Sequence, residues 1–179
     1  MRRGFIRIKG MGHVIWHAKH EVFHVFLALM WAWVLREIWN EFNIRWIITA
    51  IFGGLLPDAD HVIYYITNRK RDPYAKMVLR FLRERQWRVL TRFLETTHKY
   101  NTNLSFHNIY VAVALFGFCA VSYVYDWRIG VVLFGAMVTH YLFDIIDDYL
   151  ALGYVNSNWK RFGRKKSRAA PANATDDLL

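Results

Sequence analysis

Residues 20–24 read HEVFH, one of several places where histidine and carboxylate side chains fall at ligand-like spacing in this 179-residue chain. Two imidazoles one helical turn apart, with a Glu between them, form the arrangement by which a single helix holds zinc and a general base. A metalloprotease of that kind needs a third ligand downstream, which membrane-embedded proteases take from an Asp-Gly element. No Asp-Gly pair occurs here. His24 is therefore read as a metal ligand, His20 as a partner of the ligands, and Glu21 as incidental.

Other segments carry the same residue types. His140 and Asp144 are four apart, so one helix face can direct both at one ion. In GGLLPDADH, residues 53–61, Pro57 removes a backbone donor and bends the chain, which lets Asp58 and His61 be presented together. Asp60 lies between them, as a ligand or as the general base, and is assigned the catalytic role. His107 precedes the third apolar run. His24, Asp58, His61, His107, His140 and Asp144 make six candidate ligands, enough for one or two ions with water completing each shell. Imidazole with carboxylate suits zinc or a similar divalent metal better than calcium. His98 either reaches this group or ends a helix, and Asp147 and Asp148, near the same face, are read either as groups that orient the ligands or as solvated charges, the latter slightly favoured. His13 and His17 precede the apolar run and are read as facing water.

The elements that must position these residues are apolar. The chain is 55% hydrophobic and 17% aromatic, yet has a formal charge of +10, a combination more typical of a membrane protein with basic flanks than of a soluble domain. Four apolar runs, Val22–Leu35, Trp46–Pro57, Ile109–Tyr125 and Ile129–Phe143, are each shorter than the ~20 residues of a membrane-spanning helix. Helices that continue into their flanks would be long enough, and Trp39, Trp46, Tyr123, Tyr125 and Trp127 cluster at the connections as an aromatic belt does. Of the 24 Lys and Arg, all but Arg36, Arg45 and Arg128 fall on one side of a four-crossing arrangement. Positive charge marks the cytoplasmic side, so both termini are expected there, in the inner (cytoplasmic) membrane. Every candidate ligand enters or leaves its helix at that same side. No cleavable signal peptide is expected, because the first apolar run begins late.

Residues 74–98 predict a basic amphipathic helix, suited either to the headgroups of an anionic leaflet or to packing on a core. The lone Cys119 excludes an intrachain disulfide and is read as a small packed hydrophobe. The expected fold is all-α: a four-helix integral membrane bundle over residues 1–156, with the additional amphipathic helix. A disordered basic tail follows over 157–179, which reinforces topology and is not expected to bind nucleic acid.

LLPDADH at 55–61, Ser105-Phe106-His107 at a helix start and GAMVTHYLFD at 135–144 together resemble the membrane-bound metal-dependent hydrolases of bacteria and archaea. The resemblance covers roughly residues 20–153, and Gly153 matches a glycine that follows in that family. It implies that His24, Asp58, Asp60, His61, His107, His140 and Asp144 hold metal and catalyse hydrolysis. At one motif position the family carries a further His where this chain has Thr102, with His98 the nearest replacement. By analogy with all-helical zinc phospholipases and nucleases, the expected substrate is a phosphoester, lipid or lipid-linked molecule. The competing expectation is a metal transporter or sensor that binds an ion without hydrolysis.

Overall fold

The structure is a computed structural model that describes the backbone of residues 12–68, 72–101, 104, 106–155 and 159–160. It is helical throughout these residues, with no strand among them. Helix α1 (Gly12–Trp39) contains neither Gly nor Pro after its first residue and so runs unbroken for 28 residues. It stops at Asn40, whose φ of 48° lies in the left-handed region that Asn tolerates better than most side chains. The Asn43 side chain then accepts from the Arg45 amide at 3.0 Å and caps α2 (Ile44–Leu55). Pro57 sits in a single 3-10 turn, Leu56–Asp58, which joins α2 to α3 (Ala59–Asn68). Asp72 caps α4 (Pro73–Arg83), and α5 (Trp87–Asn101) follows. Asn108 caps α6 (Ile109–Val124), and α7 (Arg128–Leu152) ends at Gly153, whose φ of 75° closes the helix.

Three stretches are long and apolar enough to cross a membrane: His20–Trp39, Ile44–Thr67 and Arg128–Leu150. Their helices do continue beyond the strictly apolar runs. Helix α6 is equally apolar but has only 16 residues. Large side chains such as Phe26, Trp33, Ile48, Phe52, Phe116 and Phe118 are exposed on these helices. A contiguous apolar surface of that kind is not stable in water and suits lipid.

The chain divides into two compact units. One contains His20–His61 and Leu104–Arg164. Its core joins Ala28, Ala32 and Leu35 of α1 to Trp46 and Ala50 of α2 and to Val131, Val132 and Ala136 of α7. Helices surrounded by lipid gain little from burying apolar area, so they associate through close backbone approach at small residues. Gly54 shows this: a Cβ there would lie 2.8 Å from Ala28 Cβ and 3.1 Å from the His24 carbonyl. Gly135 makes room for the Trp31 indole, which a Cβ would meet at 2.2 Å, and that indole donates to the Val131 carbonyl at 3.2 Å. At the turn end of the helices, Arg128 pairs with Glu41 and lies 5.2 Å from the centre of the Trp39 ring.

The other unit contains Val62–Asn103. Here the Tyr64 hydroxyl donates to Asp72, and the buried Tyr74 and Phe93 rings pack at 5.3 Å, joining α4 to α5. The single amphipathic helix expected over 74–98 is in fact two helices. The chain turns at Glu84–Gln86, where Arg85 takes a φ of 55°, a left-handed conformation that no Gly or Pro announces. Trp159, within the tail expected from residue 157, is buried against Leu115 and Tyr141, and its carbonyl accepts from the Ile109 amide at 2.9 Å. The basic tail beyond it, residues 161–179, lies outside the described residues, as do Thr102 and the side chains of His13, His17 and His98.

Two alanine substitutions test the small-residue packing. Gly135→Ala forces the Trp31 indole out of place and should destabilise the protein by about 2–3 kcal/mol. Gly117→Ala in α6 meets nothing within 4 Å and should be neutral or stabilise by up to about 1 kcal/mol through helix propensity. Thermal unfolding of the two variants in one detergent, beside the parent protein, gives the comparison.

Candidate metal centre

The ligand-type residues meet within the unit that contains α1, α2, the 3-10 turn, the start of α3, α6 and α7. Helix α7 supplies His140 and Asp144, one turn apart and on one face. Helix α1 supplies His20 and His24 at the same spacing. The turn at Pro57 places Asp58 in front of His61, with Asp58 Oδ1 3.6 Å from His61 Nε2. His107 stands just ahead of the Asn108 cap of α6.

Asp144 is at the centre. Its Oδ1 lies 3.0 Å from His20 Nε2 and 3.3 Å from His24 Nε2. Its Oδ2 lies 3.1 Å from His140 Nε2 and 3.5 Å from His107 Nε2. Asp58 Oδ2 is 3.8 Å from His140 Nδ1. Four sets of residues bring ligand atoms within 4.8 Å of one another: His20, His24 and Asp144; His24, Asp58 and His140; Asp58, His61 and His107; His107, His140 and Asp144. All six predicted ligands belong to at least one set, and so does His20. Glu21 and Asp60 belong to none.

Two of the imidazoles are held in a fixed orientation. His140 Nδ1 lies 2.6 Å from the Gly54 carbonyl, which can only accept, so the proton is on Nδ1 and Nε2 faces Asp144. His107 Nδ1 lies 3.3 Å from Asp60 Oδ2, again an acceptor, and again Nε2 faces Asp144. A histidine that donates one ring N–H to a carbonyl or carboxylate while aiming the other nitrogen inwards is the usual form of a metal-ligating histidine. Asp60, expected to be a ligand or the general base, is seen here as the partner of His107. Its Oδ2 also accepts from the Phe106 and His107 amides at 2.8 and 3.3 Å, so it fixes both the His107 ring and the start of its segment.

The arrangement can accommodate a cation. Both ring nitrogens of His24, Nε2 of His140 and Oδ2 of Asp58 are buried without a well-formed hydrogen bond, although the two Nε2 atoms lie 3.3 and 3.1 Å from Asp144. Each such group costs about 1–3 kcal/mol when unsatisfied. The His24 and His140 rings also stack at 3.6 Å, a distance at which two protonated rings would repel. For His107, burial disfavours the charged form, but the carboxylates of Asp144 and Asp60 outweigh it and raise the pKa to about 9. The carboxylates therefore hold positive charge at this point. A divalent ion between the nitrogens and Asp144 would supply it and satisfy the partnerless atoms together, so the donor set fits zinc or a similar metal.

Two further residues differ from expectation. Asp148, read as a solvated charge, accepts from the buried Trp159 indole at 2.9 Å. Trp159 itself, 6.0 Å from the His107 ring, forms part of the wall behind the centre and was not singled out in the sequence. A lone Trp in an otherwise polar Asn-Ser-Asn setting was the available signal.

Compared with protein-family models, with characterised proteins and with solved structures, the chain matches none.

The orienting role of Asp60 can be measured. Asp60→Ala should weaken zinc binding about 10–100-fold, the usual effect of removing a carboxylate behind a ligating histidine. Competition against a chromogenic chelator reads this directly. A residue acting only as general base would leave zinc affinity unchanged.

Proposed function

We propose that the protein is a membrane-bound metal-dependent hydrolase, of the family that its LLPDADH and HxxxD elements resemble, acting on phosphoesters of lipids or lipid-linked molecules. The observation that carries this reading is the pair of oriented imidazoles, His107 held by Asp60 and His140 held by the Gly54 carbonyl, both facing Asp144. His107, His140 and Asp144 would hold a zinc-like ion, which when bound would supply a water of lowered pKa and a Lewis acid for an ester. The protein's own groups do the rest. Asp144 contributes the negative charge that retains the cation, Asp60 keeps the Nε2 lone pair of His107 directed inwards, and the Gly54 carbonyl does the same for His140.

The setting supports a lipid substrate. Phe23 and Phe143 stack at 5.6 Å next to His20 and His24, and Phe23 is exposed, giving an apolar flank on which an acyl chain can lie. In this reading α6, about 24 Å long, is a fourth membrane crossing beside the three longer stretches. The bias of basic residues puts both termini and the metal centre on the cytoplasmic side, and the same residues favour anionic lipids. Reporter fusions test the topology: Lys166 and Arg69–Arg71 should read cytoplasmic and an insertion near Asn40 external. The same compartment for Asn40 and Lys166 contradicts four crossings.

A transporter or sensor would use the same ligands without hydrolysis. Cleavage of a generic chromogenic phosphodiester by protein in detergent micelles, set beside zinc flux in proteoliposomes, separates the two. Variants then separate hydrolysis at this centre from a protease built on HEVFH. Asp144→Asn should lower bound zinc and activity together, each by at least about tenfold, since it removes the charge nearest the ion. Glu21→Gln should leave both within about twofold of the parent, because Glu21 is in no ligand set. Loss of activity in Glu21→Gln with zinc retained would favour the protease.

A further inference from the structure

His20 and His24 face one oxygen of Asp144, and His107 and His140 face the other. We propose that His20 and His24 bind a second ion, so that the centre is dinuclear and Asp144 is its bridging carboxylate. The inference rests on the metal-centre reading above and adds an ion, a ligand and a bridge to it.

The geometry divides into two halves. His20 and His24, one turn apart on α1, direct their Nε2 atoms at Asp144 Oδ1, at 3.0 and 3.3 Å. His107 and His140 direct theirs at Oδ2, at 3.5 and 3.1 Å. Each oxygen of one carboxylate therefore faces its own pair of imidazoles. A single tetrahedral ion cannot take both oxygens and all four nitrogens. A carboxylate that gives one oxygen to each of two ions holds them about 3.5–4 Å apart, the spacing found in two-metal phosphoester hydrolases.

His24 is the residue on which the second half turns. Its Nδ1 is buried and lacks a hydrogen-bond partner, unlike His107 and His140, whose Nδ1 atoms are tied to Asp60 and Gly54. Its stacking on the His140 ring at 3.6 Å brings the two halves next to one another. Asp58 lies in a set with His24 and His140 and in another with His61 and His107, so it can complete either coordination shell.

The test counts ions and asks whether they are coupled, with no use of activity. Purified protein in detergent is loaded with zinc and, separately, with Mn2+. Elemental analysis should give two zinc ions per chain, and the Mn2+ protein should show the multiline spectrum of an exchange-coupled pair in electron paramagnetic resonance. His20→Ala should retain one zinc and give the six-line spectrum of isolated Mn2+, while His20→Glu, which restores a ligand of similar reach, should recover the second ion. Thermal unfolding of each variant confirms that it is folded. A parent protein with one ion, two ions without coupling, or a His20→Ala variant that keeps two would each overturn the proposal. One ion with hydrolysis intact leaves the hydrolase reading standing and removes only the bridge, whereas no bound ion removes both.

Discussion

A single carboxylate, that of Asp144, draws four imidazoles from three regions of the chain to within 3.5 Å. The rest of the helical unit depends on that requirement. Ionisable groups at this depth in an apolar bundle are costly unless they satisfy one another. Helices α1, α2 and α7 must pack so that His20, His24, His140 and Asp144 coincide, and the close approaches of Gly54 to Ala28, Gly53 to Ala136 and Gly135 to Trp31 permit it. The apolar core and the polar centre are two descriptions of one packing solution. Enlarging a residue in the first displaces ligands in the second.

Much of the centre was legible in the sequence because helical spacing is a rigid ruler. His140 and Asp144 share a face at any position a helix can take, and Pro57 forces a tight turn that presents Asp58 with His61. The convergence of four segments was also legible, since every ligand-type residue fell at the same end of its apolar run. The role of His20 was harder to read. Its spacing from His24 was plain, but the residue types do not show that it reaches Asp144 of α7, 3.0 Å away.

Other features left little trace. Nothing in the sequence tells a carboxylate that faces the centre from one that holds a histidine from behind, and the Asp60 carboxylate contacts His107 at Nδ1. The break between α4 and α5 depends on Arg85 adopting a left-handed backbone, which composition does not reveal. Trp159 lies beyond the last apolar run, where polarity suggested a tail, yet its indole and main chain are bound into the helical unit. In each case the deciding contact joins residues distant in sequence or depends on a local conformation that the residue types do not dictate.

The two oriented histidines differ in how evolution can alter them. His107 relies on a side chain, Asp60, so one nucleotide change can release it, and a family of descendants could drift in metal affinity by that route. His140 relies on the main-chain carbonyl of Gly54, an acceptor that every amino acid carries. Its hydrogen bond is therefore hidden from the genetic code. Bulk at position 54, pressing α2 away from α1, or at position 53, pressing it away from α7, can disturb it, and selection there acts on volume rather than on chemistry. A glycine that looks like a packing residue is in this way the guardian of a proton's position.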